Sequence, residues 1–198
     1  MKWMMCACLV VILSSCSKII DTLPIPTSGI EESDGFKRYV IKKNEHYSQG
    51  NGLKTVSYPV LHFKVRFDSS AIYTSVKPEN QFDINKIYGV SDCGDNHQVN
   101  SARYGWRWNG EAIELFAYCY INSVRETQLL GTMSIGEEVS LGISTQKDQY
   151  DFLFRNKHFT MKRGCTGEGL SGYQLYPYFG GDEAAPHEIR VFIKEVQL

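Results

Sequence analysis

From residue 36 to the C-terminus, apolar and polar positions alternate with a period of two, and short clusters of turn-forming residues interrupt the alternation. The clearest case is Leu61, Phe63, Val65 and Phe67 interleaved with His62, Lys64 and Arg66. The pattern predicts strands over residues 37–42, 59–67, 85–90, 99–108, 111–122, 126–133, 138–143, 150–155, 158–162, 171–179 and 188–196. No stretch of ten or more residues presents an apolar face at helical spacing, and no segment repeats at a fixed period. Many short strands with short turns predict an all-β domain, an antiparallel β-sandwich or barrel.

The strongest local signal is Asn109-Gly110 between two alternating runs, which predicts a hairpin. A two-residue turn there pairs Trp108 with Glu111, so that Trp106 opposes Ile113, Tyr104 opposes Leu115 and Ala102 opposes Ala117. One face then carries Ala102, Tyr104, Trp106, Ile113, Leu115, Ala117, Cys119 and Ile121, which suits a core. The other carries Ser101, Arg103, Arg107, Glu114, Phe116, Tyr118 and Tyr120. Aromatic rings stack on the apolar faces of sugars, and arginine offers a planar fork of donors to hydroxyls and carboxylates. The second face is therefore the candidate ligand-binding surface. Its bland alternative is an ordinary exposed sheet in which Arg103 or Arg107 bridges Glu114.

Composition narrows the picture. A chain of 198 residues that is 42% hydrophobic and 22% charged suits one domain with a core. The formal net charge of -1 argues against a nucleic-acid partner. The N-terminus reads as an address. Met1-Lys2 is followed by an apolar run from Trp3 to Leu13, and eleven helical residues rise only about 16 Å, short of the ~30 Å hydrocarbon core. Such a run suits a signal peptide. Leu13-Ser14-Ser15-Cys16 follows directly and resembles the lipobox of bacterial lipoprotein precursors, of the Bacteroidetes-like kind. That resemblance implies removal of residues 1–15, a diacylglycerol on Cys16, and a cell-envelope location, on the periplasmic face or the cell surface. Residues 16–35 then read as an anchored tether, interrupted by Pro24 and Pro26, and residues 36–198 as the β-sandwich domain.

Six cysteines resemble a disulfide framework until this address is read. Cys6 and Cys8 leave with the leader and Cys16 takes lipid, so Cys93, Cys119 and Cys165 remain. Cys93 and Cys165 stand in loops and can bridge, whereas Cys119 stands in a strand as a small apolar residue. No spacing suits a zinc site, and no cofactor motif is present. The turn Asp92-Cys93-Gly94-Asp95-Asn96 is rich in oxygen ligands but lacks calcium-loop spacing, so it reads as a polar turn leading to His97.

Tyr176-Pro177-Tyr178-Phe179-Gly180-Gly181 through Ala185-Pro186-His187 resembles the turn before the last strand in bacterial concanavalin-like jelly rolls. The resemblance implies a β-sandwich of jelly-roll type. His187 in this turn suits a general acid or base, and its bland alternative, which the turn favours, is a histidine that hydrogen-bonds the loop. Glycoside hydrolysis needs two facing carboxylates, and no strand carries Glu-x-Asp-x-x-Glu. Alginate-lyase jelly rolls carry Arg-x-Glu-x-Arg on one strand and Gln-(Ile/Val)-His on another. Here Arg103-Tyr104-Gly105-Trp106-Arg107 keeps both arginines, but Gly105 replaces the glutamate and no strand holds Gln-x-His. The leading expectation is a non-catalytic envelope lipoprotein that binds a glycan or another envelope component through His97, Arg103, Arg107, Glu114, Tyr118, Tyr120 and His187. A polysaccharide lyase acting on a uronate polymer is the alternative, and a structural subunit covered by an envelope protein is the third.

Overall fold

The computed structural model describes residues 29–196. The expected leader, Cys16 and the tether up to residue 28 lie outside the described residues. Thirteen strands follow in chain order: β1 (Ile30–Glu31), β2 (Lys37–Ile41), β3 (Thr55–Tyr58), β4 (Val60–Phe67), β5 (Asn85–Ser91), β6 (Ser101–Trp108), β7 (Ile113–Ile121), β8 (Val124–Met133), β9 (Val139–Gln146), β10 (Gln149–Phe154), β11 (Lys157–Lys162), β12 (Leu170–Leu175) and β13 (Ile189–Glu195). Two 3-10 turns, Ser69–Ala71 and Pro78–Phe82, interrupt the connection from β4 to β5. The strands form two antiparallel sheets, ordered β1-β2-β13-β4-β9-β10-β11 and β3-β12-β5-β6-β7-β8. The chain is an antiparallel β-sandwich of jelly-roll type.

The strand β1 falls in the segment read from sequence as tether, where Ile30 and Glu31 pair with Arg38 and Lys37. The strand β3 has no counterpart among the expected strands; its Val56 is buried while its neighbours face outward.

The β6–β7 hairpin keeps its faces but changes its register. Trp108 pairs with Ile113, Trp106 with Leu115 and Tyr104 with Ala117, so the turn has four residues instead of two. Asn109 decides this: its Oδ1 accepts from the main-chain N–H groups of Glu111 and Ala112, both at 2.9 Å, and curls the chain into a longer loop. A shift of two residues leaves every side chain on its own face, because the side-chain period is two.

The core-facing set of this hairpin, from Ala102 to Ile121, is buried throughout. Tyr104 and Trp106 reach across the sandwich to the other sheet. The Tyr104 ring sits edge-on to Phe63 and Phe152, at 5.7 and 5.2 Å between centroids. Its hydroxyl accepts from the Gly142 N–H at 3.2 Å and lies 2.7 Å from the Gly142 carbonyl oxygen, so a buried polar group is satisfied between the sheets. Trp106 packs on Phe67 at 4.8 Å. Each such side chain contributes roughly 1.5–3 kcal/mol by leaving water.

A second anchor closes the end of the sandwich near the β5–β6 loop. Cys93 and Cys165 form a disulfide with Cα atoms 5.8 Å apart. Beside it the buried Asp92 carboxylate accepts from Arg163 Nε at 2.7 Å, Tyr150 Oη at 3.0 Å and Ser171 N at 3.0 Å. Such a set of partners offsets the cost of burying the Asp92 charge.

Candidate functional site

The outer face of the six-stranded sheet holds a groove of about 640 Å³. Its floor comes from Lys86 on β5, Ser101 and Arg103 on β6, Tyr118 and Tyr120 on β7, and Arg125, which pairs with Tyr120 from β8. Two chain segments make a wall, one carrying Tyr47, Ser48 and Asn51 and the other Leu175, Tyr176, Pro177, Tyr178 and Gly181. His97 and Gln98 close the end near the disulfide.

The lining contains the cationic side chains Lys86, Arg103 and Arg125, the imidazole of His97, and no carboxylate. Arg103 is 8% exposed, and its Nη2 donates to the Tyr176 carbonyl oxygen at 2.6 Å. Its Nε is buried and has no partner. Burial holds the Arg103 guanidinium down to about 10. Lys86 Nζ stands 4.9 Å from the Tyr118 ring centroid and 5.5 Å from that of Tyr178. Burial, then the charges of Arg103 and Arg125, hold Lys86 down to about 8. Burial pushes the Tyr118 phenol up to about 12, so it keeps its proton at neutral pH. Burial and Arg103 lower His97, which favours a neutral imidazole. The Tyr173 hydroxyl accepts from the His97 main-chain N–H at 2.9 Å and lies 2.7 Å from His97 Nδ1. Such a site offers positive charge, phenol and imidazole hydrogen bonds, and ring faces.

Of the residues singled out in the sequence, Arg103, Tyr118, Tyr120 and His97 meet in this groove. Arg107 and Glu114 do not line it. Arg107 Nε donates to Glu114 Oε2 at 2.6 Å, and its Nη1 donates to the Phe82 carbonyl oxygen at 3.0 Å, so both charges are consumed at the far end of the hairpin. His187 is also remote, with Nε2 placed 2.8 Å from the Ser70 carbonyl oxygen in the turn after β4. The polar turn after β5 is occupied by its own contacts: Asp95 accepts from Asn100, and Asn96 from the Gln98 N–H. Among the described residues the one cluster of metal-ligating groups is Asp92, Cys93 and Cys165. Its sulfurs are bonded to each other and its carboxylate to Arg163, so it offers no ligand set. Cys119 is a buried thiol, 3.8 Å from Met161 Sδ.

Three groove residues escape a reading of the sequence as strict alternation. Lys86 shares a parity with Tyr88 and Val90, which are core residues. A bulge between Lys86 and Gly89 breaks that parity and turns Lys86 to the outer face opposite Gly105. Arg125 lies in a stretch expected as a turn, yet Asn122 and Ser123 alone make that turn, with φ of 49° and 70°. Asparagine before serine was the available signal, since both tolerate the left-handed region. Tyr47 belongs to a loop that carries no periodic pattern. At Gly105, where the lyase motif has glutamate, the chain is packed closely: a Cβ there would lie 2.5 Å from Ile84 Cγ2. A glutamate at that position would require Ile84 to move.

No protein-family model matches the chain, and no curated protein matches it. Solved structures do. A Chlorella virus alginate lyase, vAL-1, superposes with a TM-score of 0.54 and 13% identity over 86% of this chain and 88% of that one. The alginate lyase AlyC3 gives 0.55 and 9% identity over 85% and 77%. An Alteromonas sp.272 alginate lyase gives 0.51 and 10% identity over 88% and 92%. The likeness is one of fold. At these identities the shared architecture positions a groove without specifying its chemistry.

Proposed function

We propose that the chain is a cell-envelope lipoprotein, anchored through lipid on Cys16, whose groove binds an acidic glycan of the uronate class. The observation that carries the reading is a groove lined by Lys86, Arg103 and Arg125 with no carboxylate among its lining residues. Arg103 is buried with one main-chain oxygen as its hydrogen-bond acceptor and an unsatisfied Nε. A bound carboxylate would compensate this charge, and such charge-assisted bonds are strong where water is excluded. Tyr118, Tyr120 and Tyr178 supply ring faces and hydroxyls for the sugar. The fold likeness to alginate lyases favours the same ligand class.

Calorimetry with a panel of polymers tests this. Uronate polymers bind the wild type and neutral glucans do not, and Tyr118→Ala/Tyr120→Ala weakens binding. Equal affinity for charged and neutral polymers removes the reading.

A lyase reading is favoured by one further observation. A neutral-leaning His97 and the phenols of Tyr118 and Tyr120 line the same groove as Arg103. Uronate elimination needs a cation at the carboxylate, a base for the ring proton and an acid for the leaving oxygen. The binding reading ranks first because Gly105 stands where the lyase motif has glutamate and Arg107 is committed to Glu114. The lyase reading predicts ultraviolet-absorbing unsaturated products, lost in Arg103→Ala. Silence across uronate polymers excludes it.

A further inference from the structure

The groove is not a point site. Counting laterally from β8, which carries Arg125, the chain crosses β7 and β6 to Lys86 on β5. Lys86 then bridges to Tyr178, and Tyr178 bridges to Tyr47. Five lateral steps at the strand spacing of ~4.8 Å span about 24 Å. The cations stand within the Arg125-to-Lys86 part, and beyond Lys86 the lining turns aromatic.

Tyr47 ends this series. It is 71% exposed, and its ring lies nearly perpendicular to that of Tyr178, at 79° with centroids 4.8 Å apart, so most of the ring is left open. A large exposed aromatic side chain is notable when its backbone is rigidly held. Here Phe179 N donates to the His46 oxygen at 2.7 Å, and Ser48 N donates to the Pro177 oxygen at 3.2 Å. His46 Nδ1 lies 2.8 Å from the Phe179 oxygen, and its ring stacks on Tyr178 at 5.4 Å. The segment is thus fastened on both sides of Tyr47, and ordering its backbone adds little cost on binding.

We infer that Tyr47 is a stacking subsite for one pyranose ring of a bound acidic glycan, at the opposite end of the groove from Arg125. The inference rests on the acidic-glycan reading and extends it. The glycan chain runs across the strands, its carboxylates over Arg103 and Lys86, and a sugar beyond them lies on the open Tyr47 face. Affinity therefore rises with chain length until this ring is covered, and shorter chains held by the cations never reach it.

Calorimetry with size-defined uronate oligosaccharides, from disaccharide to hexasaccharide, tests the subsite. Tyr47→Ala weakens hexasaccharide binding about tenfold and leaves the disaccharide unchanged, while Tyr47→Phe keeps wild-type affinity for both. Arg103→Gln weakens both lengths. If Arg103→Gln weakens binding and Tyr47→Ala changes neither length, or changes both alike, the subsite is overturned and the acidic-glycan reading stands. No binding of any length by the wild type overturns both.

Discussion

Arg103 Nη2 donates to the Tyr176 carbonyl oxygen at 2.6 Å, joining the floor of the groove to its wall. The same guanidinium keeps a buried, unpartnered Nε. Burying a charge with so little compensation costs stability in the unliganded protein. Arg103→Met should therefore melt no lower than the wild type while acidic-glycan affinity falls about 10- to 100-fold. Calorimetric melting and titration of the same variant check both halves. A lower melting temperature would assign Arg103 to structure.

Lys86 makes the groove sensitive to pH. It is held down to about 8 by burial and by Arg103 and Arg125, from an ordinary 10.5. Between those values the unfolded chain holds a proton that the folded chain has released, so this contribution to stability rises with pH across that window. Below about pH 8 the folded chain carries the buried charge and the penalty is complete. Lys86→Met is thus more stable than the wild type at pH 7, and the gap closes towards pH 10.5. Ligand binding moves the other way, with affinity for an acidic oligosaccharide falling as pH rises through 8 in the wild type and flat in the variant. Urea unfolding and titrations from pH 6 to about pH 10 measure both trends.

Arg107 provides the contrast. Its pairing with Glu114 and its place 5.0 Å over the Phe116 ring are internal to the hairpin. Arg107→Ala is expected to cost about 1 kcal/mol of stability and to leave glycan affinity unchanged. A loss of affinity matching that of Arg103 variants would return Arg107 to the site.

The disulfide closes a separation of 72 residues. In the chain-entropy picture such a loop contributes about 4 kcal/mol. Cys93→Ser/Cys165→Ser should lower stability by about this amount in urea unfolding. It should also weaken binding, because His97 and Gln98 follow Cys93 on the loop that closes one end of the groove.

Lipid attachment is tested separately from the groove. Cys16→Ser should abolish acylation and leave the leader uncut, read by lipid labelling and intact mass. A lipid adduct that persists in the variant would place the attachment elsewhere.

The sequence by itself determined the fold class and the two faces of the central hairpin. Alternation dictates which residues share a face, and burying Tyr104, Trp106 and Leu115 drives that face inward whichever turn closes the hairpin. This is why a register wrong by two residues still put Arg103, Tyr118 and Tyr120 together on the outer side. Cys93 and Cys165, 72 residues apart, were open to pairing in the sequence, and the fold brought them together. Only the tertiary structure decided which of the outer residues form a site. Arg107 and Arg103 are four residues apart on one strand face, yet Glu114 neutralises the first and no carboxylate lines the groove around the second. Lys86 entered the groove through a bulge, Arg125 through a two-residue turn, and Tyr47 through a loop held by main-chain bonds to residues about 130 positions away. His187 was drawn off to Ser70 by the same packing. Periodicity is a local property of the chain, whereas the charge balance of a groove depends on neighbours from distant segments, and those neighbours exist only once the sheets have formed.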